Sequence, residues 1–300
     1  MIIDVHTHCS LKPIWLSYDP IKGKHIRWIT LPELLERINK ESISIAVVLP
    51  LQSPESSIEP VTTREVIEMS KMYSDKLIPF CNPDPRLNMG SRRDLEFILE
   101  EYKRDGCKGV GEITANIYFD DERVLNLFNA CEQLELPVIF HVGPKVGDCY
   151  GLVDEIRLPR LEKVLKLFPD LIFIGHSQPF WAEISGDLKP EERNSYPSGK
   201  IVPGGRVVEL LKSYPNLYAD LSAYSGYNAI SRDPEFGVWF IEEFQDKLLF
   251  GTDLDQPNQE LPQLRYLNDL RKERKISKGA YDKIMYKNAK KILKLELSFE

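Results

Sequence analysis

The chain has 300 residues, 42% apolar and 28% charged, which is ordinary for a globular protein and enough for a sizeable core. Its 39 basic and 46 acidic side chains give a net charge of −7, which argues against nucleic acid or an anionic membrane as partner. Five scattered cysteines without C-x-x-C spacing argue against a disulfide framework or a zinc knuckle.

The first stretch, Met1-Ile2-Ile3-Asp4-Val5-His6-Thr7-His8, reads as a short buried strand. Its period of two sends Asp4, His6 and His8 to one side, with the imidazoles about 7 Å apart along the strand, a spacing able to chelate a divalent metal. Cys9 follows directly, as a thiolate ligand or a buried free thiol. Residues 10–29 form an irregular segment with Trp15, Tyr18, His25, Arg27 and Trp28. They read either as one wall of a substrate pocket or as a loop packed on the rim by its own aromatics. Of these, Trp15, His25, Arg27 and Trp28 are the candidate substrate contacts.

Thr30-Leu31-Pro32-Glu33 supplies an N-cap, an early proline and a capping-box glutamate for a helix to about Lys40. Ile43 to Leu49 is the second strand, Thr63 to Tyr73 a helix, and Leu77 to Phe80 the third strand. Ser91 to Arg104 is helical, and Cys107 to Ile113 is strand four, carrying Glu112. After a helix from Glu122 to Leu134, strand five ends in His141. After a helix from Pro159 to Phe168, strand six ends in His176.

One long insertion follows, residues 178–204, expected to be a lid or pocket wall and holding Trp181 as a further candidate substrate contact. Strand seven is Leu217 to Ser222, Phe236 to Phe244 is helical, and strand eight, Lys247 to Asp253, ends in an acid. Helices from about Leu261 to Arg271 and Lys278 to Leu295 close the chain. Eight strands alternating with helices predict an α/β fold, one (β/α)8 TIM barrel over residues 1–300, with pocket-forming loops 10–29 and 178–204.

Such barrels gather their chemistry at the carboxyl ends of the strands. His6, His8, Glu112, His141, His176 and Asp253 all fall there. Singly, each has a dull explanation: a core histidine, a helix cap, a carboxylate paired with lysine. Jointly they read as a metal site. Imidazole and carboxylate donors suit zinc, with manganese, cobalt or iron as other occupants.

Several motifs resemble the amidohydrolase superfamily, in particular its amidohydrolase-2 branch, which includes aminocarboxymuconate semialdehyde decarboxylase. They are Asp4-Val5-His6-Thr7-His8, Phe140-His141, Phe168-Pro169-Asp170-Leu171 through Gly175-His176-Ser177, Tyr214-Pro215-Asn216-Leu217-Tyr218, and Phe250-Gly251-Thr252-Asp253. They span nearly the whole chain, in the family's order. The resemblance implies His6, His8, His141 and Asp253 as the metal set, with His176 at the metal or the substrate, and a homodimer. Many superfamily members bridge two metals with a carboxylated lysine at the end of strand four; this chain has Glu112, as do the TatD-type deoxyribonucleases it also resembles there. One tightly held ion is expected, with Glu112 either a bridge to a second ion or an acid behind the first.

The expected reaction is hydrolysis of an amide, ester or lactone of a small molecule by a metal-bound water, with Asp253 as general base and His176 polarising the carbonyl. The alternative is non-oxidative decarboxylation of an aromatic or unsaturated acid, clamped by Arg27, Lys145, Lys200 or Arg206. A TatD-like nuclease is disfavoured by the net charge. No basic-then-apolar leader precedes the first strand and no apolar run reaches about 18 residues, so a soluble protein of the reducing cytoplasm is expected.

Overall fold

The computed structural model describes residues 1–19 and 23–296. The barrel strands are β1 (Ile3–Thr7), β2 (Ile45–Val48), β3 (Leu77–Pro79), β4 (Val110–Ile113), β5 (Val138–Gly143), β6 (Phe173–His176), β7 (Leu217–Asp220) and β8 (Leu248–Leu249). Parallel ladders join β1 to β2 to β3. A second parallel set runs β4, β5, β6, β7, β8.

Two seams complete the ring without ladders. Between β3 and β4, Lys108 N donates to Pro79 O at 3.0 Å and Gly111 N to Cys81 O at 2.8 Å. Between the end of β8 and β1, Val5 N donates to Phe250 O at 3.0 Å, Asp253 N to His6 O at 2.8 Å and His8 N to Leu254 O at 2.9 Å. The order is that of a TIM barrel, with the chain's two ends meeting at the second seam.

Strand alternation divides the apolar residues into two bodies. Ile3 and Val5, Ile45 and Val47, Ile139, Ile174 and Leu249 fill the barrel interior, with Ile292 and Leu293 packed against them. Ala46, Val48, Val110, Val138, Phe140 and Phe173 face outward onto the helices. The helix Leu31–Lys40 has the predicted capping box, Thr30 with Glu33.

Three parts differ from expectation. The segment expected to be irregular contains an antiparallel pair, Trp15–Asp19 with Lys24–Arg27; residues 20–22 of it lie outside the described residues, as do 297–300 at the end of the expected domain. Both strands are at least partly exposed throughout, so no buried face imprints an alternation. A helix at Ala223–Ser231 also went unread, because its serines, asparagine and Gly226 are poor helix formers. Close packing holds it: a Cβ on Gly226 would stand 2.4 Å from the Leu221 carbonyl carbon. The expected final helix is three consecutive pieces, Lys278–Asp282, a π-helical turn Lys283–Lys287 and Asn288–Ile292. Among the described residues, no helix is long and apolar enough to cross a membrane.

Candidate metal centre

At the carboxyl end of β1, His6 Nε2 and His8 Nε2 face each other at 3.1 Å. The far side of each ring is committed. His6 Nδ1–H donates to Asp220 Oδ2 at 2.6 Å, and His8 Nδ1–H to Leu49 O at 2.9 Å. With both protons on Nδ1, the two Nε2 lone pairs converge on one gap, a place for a shared proton or a metal ion. Two carboxylates complete the surround. Glu112 Oε2 lies 3.7 Å from both Nε2 atoms, and Asp253 Oδ1 lies 3.5 Å from His6 Nε2 and 3.4 Å from His8 Nε2. Donors about 2.1 Å from a shared ion sit about 3.4 Å apart in a tetrahedron. The five distances match that spacing, so these residues fit a divalent ion.

Glu112 turns its other oxygen to a second group. His141 Nδ1–H donates to Oε1 at 2.7 Å, and His176 Nε2 lies 3.7 Å from the same atom and 3.9 Å from Asp253 Oδ2. His141 therefore belongs with His176 on the far side of Glu112, apart from the His6–His8 pair with which the resemblance grouped it. Ser222 Oγ donates to Asp220 Oδ2 at 2.7 Å and stands 2.9 Å from His176 Nδ1, so one buried carboxylate orients histidines on two strands.

Sequence reading missed Asp220, although the signal that found Asp253, an acid closing an apolar strand, is there in Leu217-Tyr218-Ala219-Asp220. Asp4 also has a different task from lying behind the imidazoles. It accepts from Thr252 N at 2.9 Å and Thr252 Oγ1 at 2.6 Å, tying β1 to the loop after β8.

The electrostatics follow from burial and neighbours. Burial opposes charge on Asp220, yet His6, His176 and their hydrogen bonds hold its carboxyl well below the usual range. Burial likewise opposes ionisation of Glu112, and the His141 hydrogen bond with the His141 and His6 charges outweighs it. On His6, burial disfavours the cation while Asp220 and Asp253 raise its basicity well above normal. Negative potential therefore concentrates where the imidazole lone pairs converge.

Asp253 is the carboxylate open to the outside, its side chain 28% exposed against 4% for Glu112. Above it lies a pocket of about 120 Å³ lined by His8, Leu16, Ser17, Trp28, Leu51, Ser56, Glu112, Tyr150, Asp253 and Asp255. Of the expected substrate contacts, Trp28 lines this pocket, its ring edge-on to His8 at 5.5 Å. Trp15 is 48% exposed on the antiparallel pair, where Leu16 and Ser17 reach the pocket instead. His25 and Arg27 line a separate cleft with Gln256 and Glu260, and Arg27 pairs with Glu33 at 2.6 Å. Trp181 is buried beneath the site, its Nε1–H donating to Asp220 O at 2.9 Å. Residues 178–204 are not among the residues lining this pocket; the insertion packs down through Trp181 and through Arg193, which donates to Asp154 O at 2.6 Å, while its Tyr196 stays within electrostatic reach of Asp253. Tyr150 and Asp255, both in loops, were not read from sequence.

A parallel β/α ring with a histidine and carboxylate cluster at its mouth defines the TIM-barrel class of metal-competent proteins. The amidohydrolase profile of the second type matches residues 3–295, and the chain belongs to that family. No curated protein matches the sequence. Among solved structures, an uncharacterised TIM-barrel protein from Bordetella bronchiseptica is similar over 98% of each chain, with 20% identity and a TM-score of 0.69. A probable 2-pyrone-4,6-dicarboxylic acid hydrolase from Acinetobacter baumannii covers 98% of this chain and 99% of its own at 14% identity, TM-score 0.59. A 5-carboxyvanillate decarboxylase from Novosphingobium aromaticivorans with bound manganese covers 98% and 97% at 14% identity, TM-score 0.59.

Proposed function

We propose that the protein is a metal-dependent hydrolase acting on the amide, ester or lactone carbonyl of a small molecule. His6, His8 and Asp253, with one oxygen of Glu112 beside them, would hold one divalent ion, most naturally zinc, and leave a position for water; a second ion among His141, His176 and the other Glu112 oxygen would displace the His141 Nδ1 proton. An ion held there supplies Lewis acidity and lowers the pKa of a water from about 15.7 to about 7. Asp253, the carboxylate open to the pocket, accepts the proton from the attacking water. His176, its Nδ1–H held by Ser222 beside Asp220, would polarise the carbonyl as a doubly protonated ring whose Nε2–H donates to the oxygen.

The observation favouring hydrolysis is the charge of the pocket wall. Among the described residues no lysine or arginine lines it. Arg27 is paired with Glu33, Arg206 with Glu162 and Glu209, and Lys145 and Lys200 are exposed elsewhere. A carboxylated aromatic acid would lack a protein cation, and the volume is below the roughly 150 Å³ of a cavity that takes benzene. Decarboxylation stays the second reading, supported by the fold shared with the carboxyvanillate enzyme.

Elemental analysis followed by a panel of lactones, esters, amides and aromatic acids tests this. Acid release in the metal-loaded protein, reduced about 10²–10⁴-fold in Asp253→Asn, is expected. Carbon dioxide release without acid release would replace hydrolase by lyase.

A further inference from the structure

Asp253 stands where it does against its own backbone preference. Its φ is +55°, in the left-handed region that residues with a Cβ rarely adopt. In that conformation its Oδ1 lies 3.5 Å from His6 Nε2 and 3.4 Å from His8 Nε2. Both of its main-chain polar groups are tied. The N–H donates to His6 O at 2.8 Å, and the carbonyl accepts from Gln259 Nε2 at 2.7 Å. The rest of the Gln259 amide holds the same loop. Nε2 also reaches Thr252 O at 3.5 Å, while Oε1 accepts from Asp255 N at 2.9 Å and Gln256 N at 3.3 Å. Nitrogen faces two carbonyls and oxygen faces two N–H groups, so the amide has one satisfactory orientation. Arg37, in the helix Leu31–Lys40, anchors Gln259 in turn, donating from Nη2 to its carbonyl and from Nη1 to Pro257 O, each at 2.8 Å.

Resting on the metal-dependent reading above, we infer that Gln259 is a positioning residue, whose carboxamide holds the Asp253 main chain in the conformation that aims its carboxylate at the gap between His6 and His8. Gln259 lines the neighbouring cleft with His25 and Arg27 and is not among the residues lining the pocket over the metal centre. Its influence on the site therefore runs through Asp253. Without the amide the Asp253 carbonyl loses its partner, the peptide relaxes toward an ordinary φ, and the carboxylate swings off the imidazoles.

Zinc affinity by chelator competition and the visible spectrum of the cobalt-loaded protein test this on the full chain. Gln259→Met removes donor and acceptor at similar length, and Gln259→Glu keeps the acceptor contacts while removing the donor to Asp253 O. Each is expected to weaken zinc binding about 10-fold or more and to shift the cobalt d–d bands. In Gln259→Glu that loss runs against the added negative charge, which by attraction alone would tighten binding. Either variant decides the question, so misfolding of one leaves the test intact. Made in an Asp253→Asn chain, the same changes should alter zinc affinity by no more than about 2-fold, because the carboxylate they act on is gone. A loss as large in the Asp253→Asn chain would assign the effect to general loosening of the loop and overturn the inference. Unchanged zinc affinity and cobalt bands in the variants, with wild type binding zinc, would overturn it and leave the metal site standing. Wild-type protein that takes up no zinc would overturn both.

Discussion

Asp220 Oδ2 and His6 Nδ1 stand 2.6 Å apart across 214 residues of chain. The contact fixes the His6 ring, so Nε2 is the atom presented to His8. Removing the charge while keeping the shape should weaken the ligand without emptying the space. Asp220→Asn is therefore expected to lower zinc affinity about 10–100-fold, measured by chelator competition, with the fold intact by circular dichroism. Unchanged affinity would remove Asp220 from the site.

Gly251 guards the same contact. A Cβ there would lie 2.4 Å from Asp220 Oδ1, 2.9 Å from Ser222 Cβ and 3.1 Å from His6 Cβ. Gly251→Ala should cost about 1–3 kcal/mol of stability through overpacking. Because the displaced groups orient a ligand, zinc affinity should fall as well. A variant with lowered Tm but full affinity would show that the neighbours yield elsewhere.

Chelation should destabilise the protein measurably. Without a divalent ion the stabilisation that binding adds to the cluster of His6, His8, Glu112 and Asp253 is absent. At free zinc about 1,000-fold above Kd, binding adds about 4 kcal/mol. A Tm difference on the order of 5 °C between zinc-loaded and stripped protein is expected. Equal melting temperatures would contradict a tightly held ion.

Glu33 makes acid sensitivity specific. Hydrogen bonds from Arg27, against some burial, with further bonds from Thr30, hold its carboxyl down to about 2. The folded chain thus binds this proton less readily than the unfolded one. Its stabilisation is complete above about pH 5 and is lost as pH falls toward 2. Glu33→Gln should lower stability at pH 7 by about 1 kcal/mol, and the difference from wild type should vanish below about pH 2. A gap independent of pH would assign the effect to packing.

The alternation of strands and helices was legible because both faces of β1, β2, β5 and β6 are buried, and apolar residues run unbroken through β2 and up to the histidine in β5 and β6. The histidines were legible by position, each closing such a run. What escaped reading was whatever depends on three-dimensional pairing. Asp220 looked like an ordinary strand residue until His6 was placed opposite it. Trp181, one of several aromatics in an insertion, looked like a pocket residue, whereas its indole reaches under the barrel to a backbone carbonyl. His25 and Arg27 lie on the strand that runs directly into Trp28, yet they line a different cleft. Loop residues such as Tyr150 and Asp255 carry no periodic signal at all.

The seam between β1 and the end of β8 has a bearing on how the chain is made. His6 and His8 are synthesised well before Asp253, which lies 245 residues beyond His8 in the chain. Until then one edge of β1 has no neighbour, and an open strand edge is a template for mispairing. A nascent chain stalled before Phe250 lacks both the backbone partner of Val5 and the last carboxylate of the ion cradle. Closing the ring and completing the cradle are thus the same late event in biosynthesis.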